Sequence, residues 1–417
     1  MAVGLGAYRQ VLADSQARAF SMAGLIARMP LSMTSLGVVL LISSQTGSFG
    51  RAGLVAAFGT VAGALAAPLW GRLIDRVGQA RVLVTAASIN AFSVAMLIIT
   101  VELDWPLVSS LGAAVGIGLG FSSAGSAVRA RWSHRLAGSP LLNTAFAVEA
   151  MLDEVVFIVG PVLVTFLATS LHPALGLAAS LVLGATGAVA LAVQRATQPP
   201  VRTRERTSAP TEPIAVALVL PVALAGVANG AIFGGMEVVV VAFAKAAGVI
   251  EYAGLILLAW AAGSLFSGLV VGSIAWRSSP ARRFQISAAL LALSTVPLPF
   301  VDSPWVLTAL LVLSGLAISP TMIASITVVQ AAVHPSRLTE AFGWTSMGLA
   351  AGLAVGAATI GRLIDARGVS MGFWGVVIAG AVLIALALLV RSPVVSPDLP
   401  DTPVAEPPHL EAQTPLL

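Results

Sequence analysis

Long apolar stretches recur along nearly the whole chain, and short segments containing Arg, Pro and Gly separate them. Each stretch is about 20 residues long, the length that lets an α-helix cross a hydrocarbon core about 30 Å thick. Alternating strand patterns of about 10 residues, which a membrane β-barrel requires, do not occur in the sequence. The pattern predicts an all-α polytopic membrane protein, because a backbone in lipid must satisfy its hydrogen bonds within helices.

Charged residues, Pro and Gly divide the chain into twelve predicted membrane spans. The spans of the first half cover residues 20–43, 53–70, 82–101, 106–128, 143–169 and 173–193. The spans of the second half cover residues 214–243, 252–275, 284–301, 305–333, 339–361 and 372–390. An even number of spans places both termini on the same side of the membrane.

Two six-helix bundles are predicted, at residues 1–193 and 214–391. The segment between them, 194–213, is rich in Pro, Thr and Arg and is predicted to be a flexible cytoplasmic linker. Residues 392–417 contain seven Pro and almost no apolar periodicity, which predicts a disordered cytoplasmic tail.

An internal repeat supports this division into halves. Residues 52–54 and 253–255 are both Ala-Gly-Leu, at an offset of 201 residues, and each opens the second span of its half. A similar match relates the starts of the spans at 143–169 and 339–361, at an offset of 196 residues. Repeated bundles with a binding site between them are typical of secondary transporters.

The charge of the loops predicts the orientation, because Lys and Arg in short loops are retained on the cytoplasmic side. Arg residues concentrate in the loops after even-numbered spans, with Arg129, Arg131 and Arg135 in the loop after the fourth, so we expect a multi-pass protein of the cell membrane with both termini cytoplasmic. One segment breaks the pattern, since Arg362 and Arg367 lie on the predicted outer side with Asp365 between them as a possible partner.

Composition narrows the function. The chain is 58% hydrophobic and 10% charged, whereas a soluble domain has about 25% charged residues. The sequence pI of about 10.5 could suggest nucleic acid, but topology explains the Arg residues better, so we expect no nucleic-acid partner. The chain has no Cys, and its four His residues are scattered. No metal, catalytic-triad or P-loop spacing occurs, so we predict no enzyme activity, no cofactor and no metal site.

The sharpest motif, GRLIDRVGQAR at residues 71–81, follows the second span. It resembles the loop 2–3 signature of the major facilitator superfamily, G-x-L-x-D-R-x-G-R-[KR]-x, although Gln79 and Ala80 stand where basic residues are usual. The resemblance implies two bundles, alternating access, a functional monomer and a latch that stabilises the outward-facing state. The latch residues would be Gly71, Asp75, Arg76, Gly78 and Arg81. The alternative is a short turn with Arg anchors.

A second copy of the motif, GRLIDARG, occupies residues 361–368 on the opposite predicted face. We interpret it as a helix-ending turn, with a role in gating as the alternative.

The fifth span is unusual because it contains Glu149, Asp153 and Glu154. Carboxylates inside a membrane are costly and mark functional sites. Glu149 and Asp153 are four residues apart and share a helix face, and Arg28 enters the membrane from the same side. Either these residues form a structural ion pair, or they couple transport to protons. In the second interpretation Asp153 and Glu154 carry the proton, and Glu149 and Arg28 tune them.

In the seventh span, Glu237 and Asn229 flank a predicted helix break at Gly234-Gly235 and are candidate substrate-binding residues. An interfacial Glu is the alternative. Gly160-Pro161 resembles part of the antiporter signature of drug-efflux members of the superfamily.

We therefore predict a transporter whose partners are the lipid bilayer, protons and a small-molecule substrate. The preferred function is proton-coupled efflux of a small hydrophobic or amphipathic compound. The alternatives are a proton symporter that imports a sugar, an amino acid or an organic anion, and a membrane receptor or scaffold without transport activity.

Overall fold

A computed structural model of the protein describes residues 5–121, 124–139, 141–201, 216–273, 278–333 and 338–390. Most of the predicted linker and the whole predicted tail lie outside these residues. The described secondary structure is helical throughout, which confirms the predicted all-α class. The helices of the first half are α1 (Leu5–Ala13), α2 (Ser15–Arg28), α3 (Pro30–Thr46), α4 (Phe49–Val77), α5 (Gln79–Glu102), α6 (Leu107–Leu119), α7 (Ala124–Arg135), α8 (Leu142–Ser170) and α9 (Leu175–Val193).

The second half begins with α10 (Val216–Ala246) and α11 (Ala253–Ser273), followed by α12 (Pro280–Thr295), α13 (Pro304–Gly315), α14 (Ile318–Ala332), α15 (Leu338–Arg367) and α16 (Val369–Leu389). Short 3-10 turns occur at Arg195–Thr197, Ile250–Tyr252 and Leu298–Phe300. Within the described residues, eleven helical segments are long and apolar enough to cross a membrane. The ninth predicted span is the exception, because α12 has only 16 residues.

The first span is broken into α2 and α3 at Pro30. Because proline has no N–H, it interrupts the helical hydrogen-bond ladder, and the Met29 amide instead donates to the Ile26 carbonyl. The break leaves Arg28 in the last turn of α2, with a side chain that is 2% exposed.

Residues before the first span pack on the bundle, where α1 contacts α8 and α2, and Asp14 contacts Arg135 of α7. Asp14 caps α2 by accepting a hydrogen bond from the Gln16 amide at 3.0 Å, and its other oxygen accepts from Arg135. Burial acts to raise the pKa of Asp14, but the bonds from Arg135, Ala17 and Gln16 outweigh it and hold the pKa below its ordinary value. Asp14 therefore stays ionised at neutral pH.

The start of the predicted linker is also structured. Gln194 follows α9 directly, and residues 195–197 form a 3-10 turn. The Gln198 side chain accepts a hydrogen bond from the Ala80 amide at 3.1 Å. The first bundle therefore extends at least to Gln198.

Within the second half, α10 and α15 pack with their backbones in contact. A Cβ atom placed on Gly352 would lie 2.0 Å from the Val227 carbonyl oxygen, and one on Gly234 would lie 2.1 Å from the Leu353 carbonyl oxygen. The predicted break at Gly234-Gly235 is wrong, since α10 continues through both residues. These glycines permit close packing of two continuous helices.

Among the described residues, the contacts between the two halves include α3 with α10, α4 with both α10 and α15, and α8 with α11. Pro161 lies in the contact between α8 and α11, where a Cβ on Gly254 would lie 2.4 Å from the Pro161 carbonyl oxygen, whereas Gly160 faces Ser32 of α3. We call the end at which α4, α7 and α9 terminate the arginine-rich end. The opposite end, at which α3, α10 and α15 terminate, is called the far end.

Gly352→Ala is expected to lower the melting temperature of the purified protein, because the new methyl group must separate α10 from α15. Overpacking of this kind costs about 1–3 kcal/mol. The control is Gly343→Ala on the same helix, where no heavy atom lies within 4 Å of the Cβ position. Equal melting temperatures for the two variants would contradict the close packing.

Candidate functional site

A buried arginine joins the first and fifth spans at the centre of a charge network. Nη2 of Arg28 lies 2.6 Å from Oε2 of Glu149, and Nη1 lies 2.7 Å from Oδ1 of Asp153. The remaining nitrogen, Nε, donates to the Gly24 carbonyl at 3.0 Å. The structure thus brings together three of the four residues predicted for proton coupling.

Glu149 is held more tightly than its neighbours. It is fully buried, and its Oε1 accepts hydrogen bonds from the Ser21 hydroxyl at 2.6 Å and from the Trp132 indole at 2.9 Å. The Trp132 ring also meets the edge of the Phe20 ring, with centroids 4.9 Å apart. Glu149 is therefore held by two neutral donors and one guanidinium, and it anchors Arg28.

Asp153 has a different environment from Glu149. Its side chain is 27% exposed, and it is shared between Arg28 and Arg129, whose Nη2 lies 2.5 Å from Oδ2. Arg129 is itself 44% exposed. Asp153 is thus the member of the network that joins a buried arginine to one in contact with the surroundings.

Glu154, the fourth predicted residue, lies outside the network. Its side chain is partly exposed, and in the described part of the chain no basic side chain forms an ion pair with it. Glu154 therefore does not share the basic partners of Asp153.

A cavity of about 300 Å³ adjoins the network. Arg28, Asn90 and Ser126 contribute polar groups to its lining, and Gly63 and Gly120 leave room for it. The rest of the lining is mainly apolar, but a space of this size with three polar side chains in its wall can hold several water molecules. Water can therefore stand beside the buried guanidinium.

A second group of side chains, two polar and one aromatic, lies on α10. Asn229, Phe233 and Glu237 are spaced four residues apart and share a face. Oε2 of Glu237 accepts a hydrogen bond at 3.0 Å from Ser35 of the first half. The Phe233 ring packs on Trp260 of α11 with centroids 5.2 Å apart.

Two polar atoms in this second group lack partners among the described residues. Asn229 Oδ1 and Trp260 Nε1 are both buried and form no hydrogen bond there. The Asn229 amide nitrogen has only the Met322 sulfur, at 3.4 Å, as an acceptor. Buried polar groups are nearly always paired, so two unpaired atoms this close to the Phe233–Trp260 ring contact are unusual for a protein interior.

A family model described as the Major Facilitator Superfamily matches residues 20–304 and 223–415, which together span most of the chain. The chain belongs to the Major Facilitator Superfamily. It is accordingly a multi-pass membrane protein of a transporter family. No curated protein matches the chain.

Solved structures with the same fold include three transporters. The nucleoside transporter NupG is 15% identical, with a TM-score of 0.69 over 90% of this chain and 98% of that chain. The POT family transporter PepTSo is 11% identical, with a TM-score of 0.70 over 90% and 98%. The human organic anion transporter MFSD10 is 16% identical, with a TM-score of 0.60 over 91% and 100%. At these identities the comparison shows the fold alone.

The superfamily signature at residues 71–81 is mostly helical in this protein. We expected it to lie in a loop, but α4 continues to Val77 and only Gly78, with φ +88°, forms the turn. No heavy atom lies within 4 Å of a Cβ placed on Gly71, so this glycine makes no close contact here. Arg76 and Arg81 are exposed, and the described residues form no ion pair with them. The side chain of Asp75 lies outside the described part of the structure.

The departure of this chain from the signature at Gln79 has a structural reason. Gln79 is buried, and its side-chain oxygen accepts a hydrogen bond from Nε of Arg131 at 2.8 Å. A basic residue at position 79 would offer no acceptor and would repel Arg131. The amide of Gln79 therefore supplies an acceptor for Arg131, which lies on α7.

Arg131 is fully buried, although we assigned it to a loop from its charge alone. Besides Gln79, it donates to the carbonyls of Leu191 and Gln194 at 2.9 and 3.1 Å and to the Thr197 hydroxyl at 2.8 Å. The carbonyls at the end of α9 carry partial negative charge, so they stabilise the cation without a carboxylate. Arg131 thus ties α5, α7 and α9 together at the arginine-rich end.

Arg131→Lys is expected to lower the melting temperature even though the charge is retained, because an ammonium group cannot reproduce the planar fork of donors. Each hydrogen bond to the charged group that is lost costs about 1.5–3 kcal/mol. Arg76→Lys, an exposed change in the same region, is the matched control. If both variants have the same melting temperature as the wild type, Arg131 does not hold these helices together.

Proposed function

We propose that this superfamily member is a secondary transporter that exports a small hydrophobic or amphipathic compound in exchange for protons, by alternating access. The observation that carries the proposal is the position of Asp153 between buried Arg28 and exposed Arg129. A carboxylate in such a place can exchange a proton with water while it stays in contact with the helices that move.

The network has a fixed part and an exchangeable part. Glu149 has three donors and keeps Arg28 in place whether or not Asp153 is charged. A proton on either oxygen of Asp153 removes its negative charge and weakens the ion pairs to Arg28 and Arg129. Release of Arg129 would loosen α7 from α8 and favour the other conformation. Loss of the proton would restore both pairs.

The substrate would bind beside α10, where Asn229, Phe233 and Glu237 share a face and Trp260 adds a second ring. The rings supply apolar contact area, whereas Asn229 Oδ1 and Trp260 Nε1 each need a hydrogen-bonding partner. An amphipathic compound meets both requirements. The likeness of Gly160-Pro161 to the antiporter signature favours export.

A second candidate is proton-coupled import of a polar solute. The unpaired amide and indole groups favour a ligand that offers both a donor and an acceptor, as a nucleoside does, and NupG is a nucleoside transporter of the same fold. The two candidates differ in the direction of solute movement. A symporter carries its solute into the cell together with protons, whereas an antiporter carries its solute out as protons enter.

Asp153→Asn is expected to abolish the response of transport to an imposed pH gradient in proteoliposomes, with a loss of about tenfold or more. Ethidium and uridine serve as the amphipathic and the nucleoside probe. Glu154→Gln is expected to reduce the response, and Asp302→Asn, an exposed carboxylate outside the network, should leave it unchanged. If both Asp153→Asn and Glu154→Gln respond to the gradient as the wild type does, the proton-carrier assignment is wrong.

The signature residues Gly71, Asp75, Arg76, Gly78 and Arg81 are proposed to latch the arginine-rich end when the far end opens. Two observations support this proposal: the backbones of α4 and α15 are in contact at the far end, and no heavy atom lies within 4 Å of a Cβ placed on Gly71.

Asp75→Ala is expected to increase the fraction of molecules that are open at the arginine-rich end. The chain has no Cys, so a single cysteine introduced at Ala67, which lines the cavity beside Arg28, reports access to a membrane-impermeant maleimide. The labelling rate should rise severalfold relative to the same reporter without the Asp75 change. An unaltered labelling rate would contradict the proposal that Asp75 belongs to a latch.

A further inference from the structure

The turn between α3 and α4 lies at the far end, where it and the adjoining helix ends contact the ends of α10 and α15. It consists of Gly47, with φ +71°, and Ser48. The end of α3 presents carbonyl groups with partial negative charge, and the start of α4 presents N–H groups with partial positive charge. The two helix ends therefore attract charges of opposite sign.

Asp365, in the last turn of α15, caps the start of α4. Its Oδ1 accepts a hydrogen bond from the Phe49 amide at 2.8 Å, and its Oδ2 accepts from the Gly50 amide at 2.8 Å and from the Ser48 hydroxyl at 2.6 Å. We considered Arg362 and Arg367 as partners of this carboxylate, but in the described residues it forms an ion pair with neither.

The placement of Asp365 disfavours its own helix. A negative charge in the last turn of α15 faces the negative end of that helix, which is unfavourable. The cost is offset only while α4 supplies its amides. The carboxylate therefore stabilises the contact between the halves rather than the fold of the second half.

Lys245, in the last turn of α10, binds the other helix end. Its Nζ donates to the Ser43 carbonyl at 3.0 Å and lies 5.7 Å from the centre of the Phe49 ring. The Ser43 carbonyl belongs to the last turn of α3 and also accepts from Gly47. A cation here complements the negative end of α3.

Glycines allow these contacts to form. A Cβ on Gly361 would lie 2.4 Å from the Phe49 carbonyl oxygen, and one on Gly53 would lie 2.0 Å from the Ala357 carbonyl oxygen. The backbones of α4 and α15 are thus in direct contact beside the cap. Any movement that opens the far end must break both the packing and the hydrogen bonds.

We propose that Asp365 and Lys245 form a far-end clamp, in which the second half holds both helix ends of the 47–48 turn and so sets the balance between the two conformations of the transporter. The clamp rests on the proposed alternating access. It gives the second GRLID copy, at 361–365, a role opposite to that of the first copy at 71–75. The first copy would favour opening of the far end, and the second opposes it.

Spin-label distances in the full-length chain test the clamp without a substrate. Because the natural chain has no Cys, two introduced cysteines give a unique pair. Leu103 and Trp305, which are 62% and 83% exposed, report the far end. Ser133 and Arg282, both exposed, report the arginine-rich end.

Asp365→Asn is expected to raise the ratio of far-end-open to far-end-closed molecules about tenfold or more, since hydrogen bonds to a charged group are lost. The far-end distance should lengthen and the arginine-rich-end distance should shorten. Lys245→Gln should shift both distances in the same directions, and Ser48→Ala, which removes one of three bonds, should shift them less. Asp302→Asn makes the same charge change at the far end without touching the clamp and should shift neither.

Distances for Asp365→Asn and Lys245→Gln that match those for Asp302→Asn would overturn the clamp. If Asp365→Asn does not fold, Lys245→Gln and Ser48→Ala decide the question. The outcome is separate from that of proton coupling: a failed clamp leaves the gradient response of Asp153 intact, whereas a failed proton carrier leaves these distance shifts unchanged.

Discussion

A charged or polar group inside a helical membrane bundle has no bulk water to bind, so it must find its partners within the protein. This constraint explains the long-range contacts of the fold. Arg28 is satisfied by two carboxylates and a carbonyl, and so ties α2 to α8. Arg131 is satisfied by an amide, a hydroxyl and two carbonyls, and so ties α7 to α5 and α9. The constraint is not met at Asn229 and Trp260, where two buried polar atoms have no partner among the described residues.

The same constraint suggests how two conformations can share one sequence. The contacts of Arg131 and Glu149 lie within the first half and survive a movement of one half against the other. The contacts of Asp365, Lys245 and Ser35 cross between the halves and do not survive it. Asp153 lies inside the first half, but its pairing depends on its charge, so a proton there can alter the energy of a state without unfolding the bundle.

Eleven of the twelve predicted spans correspond to described helical segments long and apolar enough to cross a membrane, because apolar length is a local property of the sequence. The pairing of Arg28 with acidic residues of the fifth span could also be predicted, because helix spacing places Glu149 and Asp153 on one face. The partner of Asp365 could not be predicted from the sequence, because Ser48 lies 317 residues away and contacts Asp365 only through tertiary packing. Gly234 looked like a break for a related reason: a glycine that weakens an isolated helix is needed where another backbone packs against it. The charge of Arg131 predicts a loop position. The structure shows that carbonyl groups at the end of α9 accept its hydrogen bonds, so it can be buried in the bundle.

Infrared difference spectroscopy tests the central claim, proton exchange at a carboxylate in the Arg28 network, most directly. The purified protein would be moved between neutral and acidic buffer, and the carbonyl stretch of protonated carboxylic acids would be followed in the wild type, Asp153→Asn and Glu149→Gln. The account predicts a reversible band that Asp153→Asn removes and Glu149→Gln retains. A band that persists in Asp153→Asn and disappears in Glu149→Gln would contradict it.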